Sequence, residues 1–199
     1  MKEKINIRFI TLLCIVMAAG LWRIFQGTGH APMAGFTPVG AMALFGGAYF
    51  FNKVRAYLFP LLTLLVSDMV LMHTVYSSHN NGFLYDGWHI VYLAFGLMVL
   101  IGNTLIKKVT FKNVIMGAIL AGFVHFIIVN FFVWLGGGMD VTTGLPYTRD
   151  FQGLIKCYTL ALPFFKKLLI GNVIYCAVLF GGFEMAKYKF PVLRSGLAR

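Results

Sequence analysis

Six apolar runs, with basic residues clustered between several of them, leave this chain little choice of solvent. They lie at about 5–25, 37–51, 56–72, 89–106, 113–135 and 168–186. Most have the length of a bilayer-spanning helix, in which about 20 apolar residues cross a hydrocarbon core of roughly 30 Å. Composition agrees, with 59% of residues hydrophobic and 12% charged, against about 25% charged in a soluble domain. The expected fold class is an all-α integral membrane protein with six transmembrane helices. No polar stretch is long enough to bury a core of its own, so residues 1–199 are expected to form one membrane domain.

The net charge of +11 suggests nucleic acid in a soluble chain. Here the basic residues sit between apolar runs, so they are better read as topology signals and no nucleic-acid partner is expected. With the N-terminus in the cytoplasm, 12 Lys and Arg fall on the cytoplasmic side and 5 on the outer side. Segment 153–165, GLIKCYTLALPFF, is too short for a span and carries Lys156. It is expected to be a re-entrant or interfacial helix, which keeps both termini cytoplasmic. The N-terminal run is expected to be a retained first helix rather than a cleaved signal. Cys14, Cys157 and Cys176 have no metal-ligand spacing and read as small buried apolar residues.

The second run, GFTPVGAMALFGGAYFF, is the odd one. From Pro38 to Phe51 it offers about 21 Å of helix, and Gly40, Ala43, Gly46 and Gly47 leave it nearly bare. Small residues four apart, Ala43 with Gly47, let another helix approach closely. The same spacing recurs at Gly117–Ala121 and Ala118–Gly122. Thr37 is expected as its N-cap with Pro38 at the first helical position, pointing the positive helix end at the outer side.

Intramembrane polar residues are costly and tend to be functional. Asp68, His125, Asn130 and Asn172 fall in the outer halves of their spans, with Trp134 one turn beyond Asn130 and Tyr158 in the re-entrant segment. Asp68 either pairs with Arg23 or receives a solute. His125 reads as a core histidine or a hydrogen-bonding ligand, and Trp88 and Trp134 as interfacial anchors or stacking faces. Loop 73–88, HTVYSSHNNGFLYDGW, has the composition of a binding loop or of a solvated connection. The candidate substrate-binding residues are therefore Phe36, Thr37, Asp68, Tyr76, Trp88, His125, Asn130, Trp134, Tyr158 and Asn172, under a lid at Tyr76–Trp88. No nucleotide-binding loop, metalloprotease motif, nucleophile elbow or carboxylate pair is visible. No enzyme activity, cofactor or metal site is expected.

The phrases FTPVGAMALFGGAYF, LFPLLTLLVSDMVL and CYTLALPFFKKLLIGNVIYCAVLFG resemble an uncharacterised bacterial family of small six-helix membrane proteins regarded as candidate transporters. That family is similar to the substrate-binding S-components of energy-coupling-factor vitamin transporters and to solitary cobalamin transporters. The resemblance implies a multi-pass protein of the bacterial inner membrane that binds and translocates a vitamin-like solute from the outer side. It also implies a separate ATPase and coupling module as partner, besides the lipid bilayer. Two features depart from that pattern: Ala18, Ala19 and Gly20 are consecutive where S-components space alanines four apart, and no cysteine lies near the third span. The alternative is a non-transporting scaffold of a membrane complex, whose polar groups pair internally.

Overall fold

The computed structural model describes residues 6–28, 36–79 and 82–194. Among the described residues six α-helices are formed: α1 (Ile7–Gly27), α2 (Val39–Tyr49), α3 (Lys53–Thr74), α4 (Trp88–Leu105), α5 (Phe111–Leu135) and α6 (Phe151–Lys189). Five are long and apolar enough to cross a membrane, while α2 has only 11 residues. Among the described residues β-structure is limited to one bridge, Met139 to Pro146. The fold is thus all-helical and built for multiple membrane passes.

Local chemistry starts four of the long helices. The side chains of Asn6, Asn52, Thr110 and Asp150 accept from the backbone N–H three residues on, at 2.7–3.2 Å. The fifth, α4, follows Gly87, whose φ of 75° suits glycine. Helix α2 has no side-chain cap. Pro38, not Thr37, occupies its cap position, and the helix begins at Val39. A residue before proline is held out of the helical region, so Thr37 stays outside the turn that Pro38 makes.

Helices α1 and α3 run parallel. Phe9 stacks on Phe59, Gly20 faces Thr63, Arg23 meets Asp68, and Gly27 faces Leu71. From Phe9 to Gly27 is about 27 Å of helix, and the chain must return that distance before α3 begins. Helix α2 makes the return in the middle of the bundle, about 17 Å of it as helix, with extended backbone at Phe50 and Asn52 completing the descent. We call the end where α1 finishes the upper end.

Ten of the eleven residues of α2 are buried, so it touches helices on every side, as an all-round apolar helix must. The glycines set the contacts. A Cβ on Gly47 would stand 2.1 Å from the carbonyl oxygen of Val99 in α4, and one on Gly102 of α4 would stand 2.3 Å from that of Leu44. The two backbones meet directly. Asn103 of α4 then donates at 3.2 Å to the Gly47 carbonyl, which the helix end leaves without an intrahelical partner. On the other sides Gly46 receives the ring of Pro60 from α3, and Phe45 packs edge-on against Phe180 and Phe183 of α6.

The separate re-entrant helix expected at 153–165 is not found. Residues 151–189 form one helix through Pro163, Lys166 and Lys167. Packing overrides the proline: Phe126 of α5 contacts Tyr158 on one side of Pro163 and Phe165 on the other, at 5.4 and 4.5 Å. A 39-residue helix is about 58 Å long, nearly twice the hydrocarbon core. Its upper part packs on α5, and its lower part on α2. At the lower end Tyr49 and Lys187 both donate to Glu184, at 2.5 and 2.8 Å, and Leu193 is buried in the short 3-10 turn Pro191–Arg194. Cys157 and Cys176 are buried as expected, whereas Cys14 is exposed on α1.

Gly47→Leu is expected to destabilise the protein by at least about 1–3 kcal/mol through overpacking. Gly96→Ala, whose Cβ would meet nothing within 4 Å, is expected to leave stability unchanged or raise it by up to about 1 kcal/mol. Thermal unfolding of both variants in detergent checks the pair.

Candidate functional site

Two polar clusters occupy the upper half of the bundle. The first joins α1, α3, α4 and the loop before α4. The Arg23 guanidinium pairs with the Asp68 carboxylate and donates to Ser67 Oγ at 2.7 Å. Tyr92 of α4 donates to Asp68 Oδ2 at 2.9 Å, and Tyr85 of the loop approaches the same oxygen at 3.4 Å. Asp68 is only 1% exposed, so it is held by a cation and a phenol rather than by water. Burial beside this carboxylate pushes the Tyr85 phenol up from its ordinary value. Of the two readings of Asp68, the structure shows the pair with Arg23.

The second cluster lies where α1 ends, α2 begins and α6 passes. Trp22 Nε1 and Gln26 Nε2 both donate to the Tyr175 hydroxyl, at 2.8 and 3.0 Å. Gln26 Nε2 also donates to the Phe36 carbonyl at 2.6 Å. Tyr175 turns its own hydroxyl hydrogen to that carbonyl at 3.5 Å, and its ring lies 5.1 Å from that of Phe36. Asn172, fully buried, donates from Nδ2 to the Ala118 carbonyl of α5 at 3.3 Å. Two acceptors stay unsatisfied here, Gln26 Oε1 and Asn172 Oδ1. Asn172 Oδ1 faces the first turn of α2, where a Cβ on Gly40 would stand 2.1 Å from it. The N–H groups of Val39, Gly40 and Ala41, all buried residues, have no hydrogen-bond partner among the described residues.

The other expected site residues fall elsewhere. Asn130 donates to Phe126 of its own helix at 2.8 Å, and its backbone carbonyl accepts from the Cys157 thiol. Tyr158 donates to the Ile127 carbonyl at 2.6 Å and Trp134 to the Thr148 carbonyl at 2.8 Å. Tyr158, Trp134 and the Cys157 thiol fasten the α5–α6 hairpin. His125 lies edge-on to Phe95 at 5.8 Å, with no hydrogen bond among the described residues. Tyr76 is exposed beyond α3. Trp88 stands over Tyr92 at the mouth of an apolar groove of about 500 Å³ between α3 and α4. A second groove, about 450 Å³, lies between α4 and α5 and includes Asp86 and His89. Neither groove contains Asp68, His125 or Asn130. Of the expected set, Phe36, Thr37 and Asn172 converge, since Gly171 beside Asn172 faces the Phe36 ring and the Thr37 carbonyl.

Beyond the α5–α6 hairpin bonds, the loop above them is built on charge. Asp140 accepts from Lys156 Nζ, from the Thr142 hydroxyl at 2.6 Å and from the Thr142 N–H at 2.8 Å. The hydrogen bond from Lys156 and those from Thr142 hold its carboxyl well below the usual carboxylate range.

Gln26, Tyr85, Tyr92 and Tyr175 were not singled out by sequence. Gln26 lies three residues beyond Arg23, and Tyr175 three beyond Asn172, so each shares a helix face with a polar residue that was. That spacing was the available signal.

Residues 3–193 match the model of a family described as a family of unknown function, DUF6580, and the chain belongs to it. Neither a curated protein nor a solved structure matches the chain.

Removing one partner of a buried ion pair leaves an uncompensated charge, typically at a cost of about 3–5 kcal/mol. Arg23→Gln and Asp68→Asn are each expected to lower thermal stability in detergent substantially. The double variant is expected to lose less than the sum of the two. Strict additivity would show that the pair contributes no coupling.

Proposed function

We propose that this protein binds a small organic solute within the upper half of its helix bundle and carries it across the bacterial inner membrane. In this reading the upper end faces outward, α2 counts as a sixth, short traverse, and both termini are cytoplasmic. The support for orientation is the bias of 12 basic residues against 5. The observation that carries the solute reading is the second cluster. Among the described residues, two buried acceptors and three N–H groups of buried residues lack partners where one helix starts uncapped. Unsatisfied polar groups inside a membrane protein cost several kcal/mol each, and a ligand that satisfies them gains that energy on binding. Phe36, Thr37, Gln26, Asn172 and Tyr175 would then form the site, with the Arg23–Asp68 pair as a strut beside it. Energy would come from an ATPase module supplied by other chains.

The scaffold reading is favoured by one specific observation. Asp68, Asn130, Trp134 and Tyr158 all bond within the protein. Mass spectrometry of small molecules co-purifying in mild detergent separates the two. A compound enriched with the parent protein and lost in Gln26→Leu is expected. Its consistent absence from the parent would favour the scaffold.

Orientation has its own check. A cysteine at Ser78, exposed beyond α3, is expected to react with an impermeant reagent in intact cells, and one at Lys108, exposed between α4 and α5, is expected not to. The opposite pattern would invert the bundle.

A further inference from the structure

We infer, resting on the reading that a solute binds at the start of α2, that its recognised end is an amino-acid-like zwitterion: a carboxylate with an ammonium or N–H donor beside it. Each half follows from a different feature. The N–H groups of Val39, Gly40 and Ala41, without a partner among the described residues, sit at the positive end of an 11-residue helix, which accepts an anionic oxygen. No side chain caps that end, in contrast to the Asn, Thr and Asp caps on α1, α3, α5 and α6.

The second half comes from Gln26 Oε1 and Asn172 Oδ1, 7% and 0% exposed as residues and both unbonded. Their orientation is fixed by the bonds of the paired nitrogens. Gln26 Nε2 serves the Phe36 carbonyl and the Tyr175 hydroxyl, and Asn172 Nδ2 serves the Ala118 carbonyl. Turning either amide over would set its oxygen against a carbonyl oxygen. The Tyr175 hydroxyl does not supply the missing donor: it stands 3.5 Å from the Phe36 carbonyl and bonds to neither amide oxygen. The site therefore asks its ligand for a donor, and asks it next to a place that takes an anion. Asn172 Oδ1 fills the place a Cβ on Gly40 would take, so both demands fall on neighbouring atoms of one small molecule.

Net charge supports the pairing. The nearby Arg23 guanidinium is committed to Asp68 and Ser67, and no charged side chain bonds to the second cluster among the described residues. A buried ion of either sign would stay uncompensated and costly, whereas a zwitterion brings both charges and meets a partner for each.

The test is thermal stabilisation of the full-length protein in detergent. The probes are a panel of L-amino acids, with propionate and ethylamine as single-group counterparts of alanine, and 3-phenylpropionate and phenethylamine as those of phenylalanine. At least one amino acid is expected to raise the Tm, at concentrations about tenfold or more below either of its single-group counterparts. Asn172→Asp places a carboxylate against the helix start and is expected to shift the preference from zwitterion towards amine. If Asn172→Asp does not fold, Gln26→Leu is expected to weaken amino-acid binding by about tenfold. A carboxylate or an amine alone binding as well as the amino acid would overturn the inference. So would stabilisation by none of the panel while a co-purifying compound lacks the pair, which leaves solute binding intact. Binding of none of them with no co-purifying compound, or buried water alone, would remove both readings.

Discussion

The backbone of α2 lies directly on the backbone of α4, and the remaining architecture follows from that approach. Gly47 faces the Val99 carbonyl and Gly102 faces the Leu44 carbonyl, at separations where a methyl group on either would collide. Between apolar helices in lipid there is no hydrophobic drive to associate, so close van der Waals packing and backbone approach supply it. Only a helix without bulk can be wrapped by α1, α3, α4, α5 and α6 together. Its shortness has the same origin: it needs to return the chain from the end of α1 to the start of α3 inside a filled bundle, where ten of its eleven residues are buried.

Burial also fixes what the start of α2 can do. A helix end at a membrane surface finds water or a capping side chain for its first N–H groups. Here Pro38 has no side-chain donor or acceptor, Thr37 stays outside, and Val39, Gly40 and Ala41 are buried. The same absence of bulk at Gly40 that admits Asn172 brings an unsatisfied oxygen to that end. The Arg23–Asp68 pair, one turn below Gln26, is by contrast bonded within the protein, to Ser67 and Tyr92. Two polar clusters at similar depth thus have opposite character, one closed and one with open valences. The proposed function is placed at the second for that reason.

Much of the fold was legible in the sequence because the bilayer imposes long apolar runs. The boundaries of α1, α3, α4 and α5 fall within a few residues of the hydropathy reading. The bare second run was rightly read as a packing element, yet its partner Gly102 was not, because Gly102 has no small residue four positions away. The α6 reading failed at Pro163 and Lys166–Lys167, since a proline and two charges look like a break until Phe126 is seen to bridge them. Depth alone grouped Asp68, His125 and Asn130. It could not say which way each side chain turns, and Asn130 and Tyr158 turn out to bond within the α5–α6 hairpin. Sequence named Phe36 for its place before the unusual start of α2 and Asn172 for its depth in the last span, and the fold brings the two near each other.

The most direct measurement is an experimental density map of the protein as purified in mild detergent, inspected between Gln26, Gly40 and Asn172. The account predicts non-protein density there, with one atom within about 3 Å of the α2 N–H groups and another within hydrogen-bond reach of Asn172 Oδ1 or Gln26 Oε1. A map in which those groups are satisfied by protein atoms alone, with no space between them, would contradict it.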